Sequence, residues 1–495
     1  MDSLRSLNVL DLSETNLFGE LPNSISNLKS LNYLDLSSTK ISNELPNSIN
    51  NLKSLNYLDL PNTKISSELP NSISNLKSLN YLDVGSSNFL GAIPPSIGNL
   101  SQLTHLSLSY NNFHGQLPST FGNLAKLTSL GLDKILYNRE VPTFLGNFTH
   151  VEFFSLSQNN FDCGLPIWLT NITKLRWIDF SQNRLKGPIP FEIGTLLNLS
   201  YLDLSYNSLT RAIPSVLFTT PSLYTLYLDH NQLTGPLKFQ NISTSPLNFL
   251  SLTENKLNEL IPRSIANFTK LQRLYLSSIN LKGKVELNIF FELKELQYLD
   301  LSGNKVLVPK ANINSTLPKF SSLLLSLCNL SEFPAFLEAQ NKLQMLDLSN
   351  NNIEGKIPKW LWNVGKETLR FFYFASKNNF TGSIPPMICK VCTLEILYVS
   401  NNQLIGHIPQ CLLKSSNSLV VLAMRNNHFQ GNLPETFVNG CSLRTLDLNR
   451  NQIEGKIPRS LVKCQMLEVL NLGNNKLNDA FPFWFESLPE LQILV

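Results

Sequence analysis

The chain has 495 residues, more than one compact core usually organises. Its formal charge of +4 is small for that length and argues against nucleic acid as the main partner. No apolar run reaches the roughly 18 residues of a membrane helix, and Met1-Asp2-Ser3-Leu4-Arg5 does not begin a secretory signal peptide.

From Leu7 onward one frame recurs, and Leu103 to Pro118 (LTHLSLSYNNFHGQLP) shows all of it. Leu106 and Leu108 are two apart and point to one face of a short strand; His105, Ser107 and Ser109 point to the other. Asn111 follows where the chain turns, and its amide can donate and accept toward unpaired backbone groups, so stacked copies form an Asn ladder. Phe113 and Leu117 return to the core, Gly115 permits a bend, and Pro118 ends the pairing. One unit cannot bury its leucines alone, but neighbours stacked roughly 4.8 Å apart can. This is a leucine-rich repeat.

The frame starts at Leu7, Leu31, Leu55 and onward to Leu271 in steps of 24, then at Leu296, Phe320, Leu343, Leu369, Leu394, Leu419, Leu443, Leu467 and Leu491 in steps of 23 to 26. That predicts one continuous domain over 1–495, of twenty repeats and the start of another. Residues 22–84 hold near copies of LPNSISNLKSLNYLDL, the mark of recent duplication. There Thr15, Thr39, Thr63 and Ser87 stand at the Asn position, where a hydroxyl copies only part of the amide, so this end is expected to be less stable. Asn43 and Ser67 replace the bend glycine. Further on, 306–317 is expected to be an irregular loop, and Cys328 takes the Asn position. Neither end carries a polar cap, which suggests an internal piece of a longer protein or a truncated copy.

Nine Asn-x-Ser/Thr sequons suit a secreted, glycosylated surface: Asn99, Asn147, Asn171, Asn198, Asn241, Asn267, Asn314 and Asn379, with Asn329 the weakest because it adjoins the turn position. Of seven cysteines, Cys441 and Cys464 precede successive repeat starts and could meet across one rung as a disulfide; two buried thiols are the alternative. Cys389 with Cys411 is a second candidate. Cys389-Lys-Val-Cys392 is a lone C-x-x-C without a second pair at ligand spacing, so no metal is expected.

The frame L-x-x-L-x-L-x-x-N-x-L-x-G-x-I-P resembles the plant extracellular class of leucine-rich repeats, most plainly at Leu343–Pro358, Leu394–Pro409 and Leu443–Pro458. The stretches CNLSEFPAFL (328–337), GKIPKWLWN (355–363) and LNDAFPFWFESLPELQIL (477–494) resemble plant receptor-like proteins of the disease-resistance type, membrane-anchored relatives of receptor kinases that lack the kinase. The resemblance implies an α/β-class solenoid wound as a right-handed superhelix. A parallel β-sheet would form its concave face, 3-10 turns and loops its convex face, and the G-x-I-P halves a second, lateral sheet. It also implies an ectodomain fragment in pathogen perception on the extracellular side of the cell membrane. The ligand would be a peptide, glycan or protein, and a kinase-bearing co-receptor would signal. The family's signal peptide, caps and transmembrane helix have no match here, so the membrane would be reached only through a segment missing from this chain. A secreted inhibitor of extracellular enzymes and a non-functional truncated copy are the other readings.

The variable letters of the strands are the candidate ligand contacts: His105, Tyr110, Lys134, Phe153, Trp177, Tyr201, Tyr206, Tyr227, His230, Arg273 and Tyr275. Aromatics and arginine bury large area with few rotors. Against this, Tyr33, Tyr57, Tyr81, Tyr201 and Tyr298 share one column, and an Asp column (Asp11, Asp35, Asp59, Asp83, Asp179, Asp203) runs beside it, so these residues are also a repeat default. No G-x-S-x-G, H-E-x-x-H, G-x-G-x-x-G or phosphate-binding loop appears, and the six histidines form no metal spacing; neither an enzyme nor a cofactor is expected.

Overall fold

The computed structural model describes residues 4–135, 139–309, 317–364, 366–373, 377–414, 418–435 and 437–495. The chain divides into two compact units, Met1–Leu247 with Asn255–Leu257, and Asn248–Glu254 with Asn258–Val495. Each unit is a leucine-rich-repeat solenoid.

In the first unit the L-x-x-L-x-L segments form ten strands of three residues, from Val9–Asp11 to Thr225–Tyr227. They pair in parallel with every repeat in the same register, as in Tyr81↔His105, Leu82↔Leu106 and Asp83↔Ser107. The middle leucine of each strand points inward, and Leu82, Leu106, Leu202 and Leu226 are fully buried. The second unit repeats this from Phe249–Ser251 to Ile493–Leu494, for example Thr445↔Val469 and Leu446↔Leu470.

Beyond each strand the chain turns through one residue in the left-handed region and then the ladder asparagine. Tyr110 has φ 57°. Asn111 donates through Nδ2 to Val84 O (2.8 Å) and Leu108 O (3.0 Å), and its Oδ1 accepts Phe89 N–H at 3.1 Å. One side chain thus ties its own rung to the one before. Asn183, Asn207 and Asn231 repeat the pattern in the first unit; Asn351, Asn427, Asn451 and Asn475 repeat it in the second. Where hydroxyls replace the amide the bonds depend on the residue, and Ser87 Oγ keeps the cross-rung links, donating to Leu60 O at 2.9 Å and accepting Thr63 N–H at 3.2 Å. Thr39 Oγ1 donates to Leu36 O (2.7 Å), and the Thr63 and Ser87 hydroxyls share one bond of 2.9 Å. Cys328 is fully buried and offers its thiol to Leu301 O and Ser326 O at 3.4 Å, a weak imitation of the amide.

The bend glycine is real: Gly115 has φ +86° and Phe113 and Leu117 on either side are buried. Asn43 (φ 70°) stands in for it, as the sequence suggests, and so does Arg211 (φ 67°). These halves build short lateral strands, such as Leu90–Ala92 with Asn112–His114 and Glu354–Lys356 with Asn379–Gly382. In most repeats the Pro then opens a 3-10 helix, Pro118 before Ser119–Asn123 for instance. Among the described residues the single α-helical turn is Cys411–Lys414. The loop expected at 306–317 begins instead with a strand, Val306–Leu307, paired to Val285–Glu286; residues 310–316, with the Asn314 sequon, lie outside the described residues.

Candidate functional site

Each interior strand presents two outward side chains on either side of a buried apolar residue, and in-register pairing lines them up as two columns. In the first unit one column runs Tyr33, Tyr57, Tyr81, His105, Ser129, Phe153, Trp177, Tyr201. The other runs Asp35, Asp59, Asp83, Ser107, Gly131, Ser155, Asp179, Asp203. Strand spacing is close to ring thickness, so neighbouring rings stack. Tyr33–Tyr57, Tyr57–Tyr81 and Tyr81–His105 are each 4.2 Å apart, and Trp177 lies on Tyr201 at 3.5 Å.

The carboxylate column is under electrostatic load. Burial, and then the charges of Asp83 and Asp35, push Asp59 up to about 7, although the Tyr57 hydroxyl donates to it at 3.1 Å. Burial likewise raises Asp203 to about 6, and raises Asp83 and Asp179. A carboxyl held above its unfolded value contributes stability that is fully present below about pH 4 and is lost as pH rises through 7. Asp59→Asn keeps an oxygen for Tyr57 and removes the charge. Its urea midpoint is therefore expected to match the parent at pH 4 and to exceed it by a margin that grows up to pH 8; equal midpoints at pH 8 would refute the charge load.

Both columns break at the same place. Ser129 interrupts the rings, and Ser107, Gly131 and Ser155 interrupt the carboxylates. The space left is a notch of about 360 Å³, lined by His105, Tyr110, Phe153 and Trp177 together with Asp83 and Asp133. Asp133 holds the rungs beneath it. Its Oδ2 accepts the Ser109 hydroxyl (2.9 Å), and its Oδ1 accepts Ser157 N–H (2.7 Å), the Ser157 hydroxyl (3.0 Å) and the Ser155 hydroxyl. In that same rung Ile135 replaces the ladder asparagine and is buried, and Asn159 Oδ1 accepts its N–H at 3.0 Å. Asp83 Oδ1 accepts Gly85 N–H at 2.7 Å. Burial holds His105 below the usual imidazole range against the opposing pull of Asp83, and its Nε2 is buried without a hydrogen-bond partner.

Of the eleven candidate contacts, His105, Phe153, Trp177, Tyr201, Tyr227, Arg273 and Tyr275 lie on strands. Tyr110, Lys134, Tyr206 and His230 do not: they occupy the left-handed position before the ladder residue, with φ between 52° and 57°, and form a row bordering the strands. Within that row Tyr206 stacks on His230 at 4.0 Å, and Gln158 Nε2 donates to the Tyr110 hydroxyl at 3.0 Å, across two rungs. The notch gathers His105, Tyr110, Phe153 and Trp177; Tyr201 backs Trp177, and Tyr227 lies 5.8 Å from Tyr201. Lys134 borders the notch rung without lining the cavity. Arg273 and Tyr275 belong to the second unit, where the guanidinium sits 5.9 Å from the Tyr298 ring and Tyr275 lies 5.3 Å from Phe249. Sequence reasoning passed over Ser129, Gly131, Asp133 and Ser155, whose signal was a small or displaced residue where the columns carry Tyr and Asp.

Asn99, Asn147, Asn171 and Asn267 each end a 3-10 helix and are exposed; Asn198, Asn241, Asn329 and Asn379 are exposed as well. Disulfides join Cys441 to Cys464, Cα atoms 4.7 Å apart, and Cys389 to Cys411, 5.7 Å apart. Cys163, Cys328 and Cys392 are free thiols. Among the described residues no cluster of three or more His, Cys, Asp or Glu is placed to hold a metal, and no helix is long and apolar enough to cross a membrane.

Family models agree with this architecture. One for a leucine-rich repeat region matches residues 1–90, one for the leucine rich repeat matches 441–495, and one for single repeats matches 102–124, 174–196, 198–219, 342–364 and 393–414. Receptor-like protein 35 of Arabidopsis thaliana is 39% identical over 242 residues. The ectodomain of the Arabidopsis receptor kinase HAESA, solved with an IDA peptide hormone, is 31% identical over 98% of this chain and 81% of that one, with a TM-score of 0.74. The chain belongs to the plant leucine-rich-repeat receptor-like proteins. Like its kin, this receptor-like chain is a stack of short parallel rungs, and its match spans 43% of itself and 26% of Receptor-like protein 35, well under two thirds of that relative's length. HAESA with both IDA and the co-receptor SERK1 is similar to it to the same degree, at 30% identity over 98% of this chain and 81% of that one and a TM-score of 0.74.

Proposed function

We propose that this receptor-like chain is the ligand-binding part of a plant cell-surface receptor, that a peptide or protein ligand lies along the strand face of the first unit, and that the bound state signals through a co-receptor carrying a kinase. The observation that supports this most is the notch, where both columns break together and open into a cavity walled by aromatic rings. Rings fixed by stacking lose little entropy when they bind, so contacts there convert efficiently into affinity. HAESA, with a similar fold, carries a peptide hormone in one structure and a co-receptor in another. Pathogen perception is the physiological setting we assign, on the strength of the sequence resemblance to disease-resistance receptor-like proteins.

The test uses the chain secreted from plant cells and a peptide fraction washed from leaf apoplast, read by hydrogen exchange. Slowed exchange is expected at the strands from Tyr81–Asp83 to Tyr201–Asp203. Trp177→Ala should weaken binding at least about tenfold, as loss of an interface tryptophan commonly does. Protection confined to the 3-10 helices, or unchanged affinity in Trp177→Ala, would refute a strand-face ligand site.

A further inference from the structure

The notch has a composition that selects a ligand chemistry. Its charged lining residues are Asp83 and Asp133, and no lysine or arginine lines it. The carboxylate column continues on both sides through Asp59 and Asp179. Two features there attract cations: the Asp83 carboxylate and the faces of Phe153 and Trp177. Tyr201 covers one face of the Trp177 indole, and the Trp177 side chain also lines the notch. A cavity of about 360 Å³ is large enough for one long side chain. Asp133 is already saturated by serine hydroxyls and a backbone N–H, which leaves Asp83 as the acidic partner.

From this we infer that the notch receives an arginine side chain of the ligand, its planar guanidinium stacked against Phe153 and Trp177 and hydrogen-bonded to Asp83. Arginine suits these partners better than lysine because it is flat, weakly hydrated and offers donors in a fixed fork. This assignment rests on the peptide-receptor reading above.

The column supplies its own blocking substitution. Ser129 is the one small residue between His105 and Phe153 in a run of rings, so Ser129→Tyr restores the repeat pattern and fills the notch without asking anything new of the fold. The full chain would be panned against a phage library of random 12-residue peptides. The recovered peptides are expected to share an arginine. Replacing that arginine by citrulline, which keeps the shape and removes the charge, should weaken binding at least tenfold; so should Ser129→Tyr and Asp83→Asn in the protein, with thermal unfolding unchanged in Ser129→Tyr. Recovered peptides that bind through no basic residue, or that ignore both citrulline and Ser129→Tyr, would overturn the arginine assignment and leave the receptor reading standing. Recovery of no peptide at all would overturn both.

Discussion

Replacing Asn231 by alanine is expected to destabilise the first unit by roughly 3 kcal/mol, since several buried groups lose their partners together. Asn231 is buried. Its Nδ2 donates to Leu204 O (2.9 Å), Leu228 O (3.2 Å) and Asp229 O (3.2 Å), and its Oδ1 accepts Leu209 N–H at 2.9 Å. Alanine reaches none of these. The chain provides the control. At Thr39 a hydroxyl reaches the carbonyl three residues back, so Asn231→Thr should recover part of the loss. Urea unfolding followed by hydrogen exchange would measure both. The alanine variant should lose protection first at Leu209 and its neighbours. A change below about 1 kcal/mol, the net worth of one ordinary hydrogen bond, would mean that the ladder does not act as a unit.

Breaking the Cys441–Cys464 bond is expected to cost a similar amount, in the second unit. The bond closes a loop of one rung, 23 residues in sequence, and chain-entropy arguments put the stabilisation of such a loop at about 3 kcal/mol. Cys464 is fully buried, so Cys464→Ala with Cys441→Ser removes the bond without leaving a large void or a stray thiol. The double variant should unfold at lower urea than the parent, and a reducing agent should then lower the parent's midpoint further than the variant's. Because each rung touches only its neighbours, exchange in the first unit should stay as it was. Equal midpoints in the oxidised parent and the variant would show that the bond contributes nothing to stability.

The strands and the amide ladder were legible in the sequence because each follows from a residue type at a fixed step, leucines at alternate positions and asparagine after them, whereas the 3-10 turns were expected from the family resemblance. The duplicated start also announced its hydroxyl ladder through Thr39 and Thr63, and Thr39 Oγ1 does reach the Leu36 carbonyl. The notch was not legible in the same way. Ser129, Gly131 and Ser155 carry no positive signal of their own; they matter through the Tyr and Asp that stand beside them, and that contrast emerges when register sets the columns side by side. The left-handed row was hidden for a different reason. Tyr110, Lys134 and Tyr206 are poor candidates for positive φ by residue type, and the conformation belongs to the frame position, since it recurs at Lys134 before Ile135 as it does at Tyr110 before Asn111.

The near-identical rungs over residues 22–84 have a consequence for how such a chain can change. Tyr33, Tyr57 and Tyr81 stack on one another as Asp35, Asp59 and Asp83 line up beside them, so any one of these rungs presents the same upper and lower surfaces as the next. A gene with this layout can gain or drop a 24-residue module by misaligned recombination and still close every seam. Solenoid length is then adjustable in whole steps of roughly 4.8 Å, while the last copy, which brings Asp83 to the edge of the notch, stays beside it.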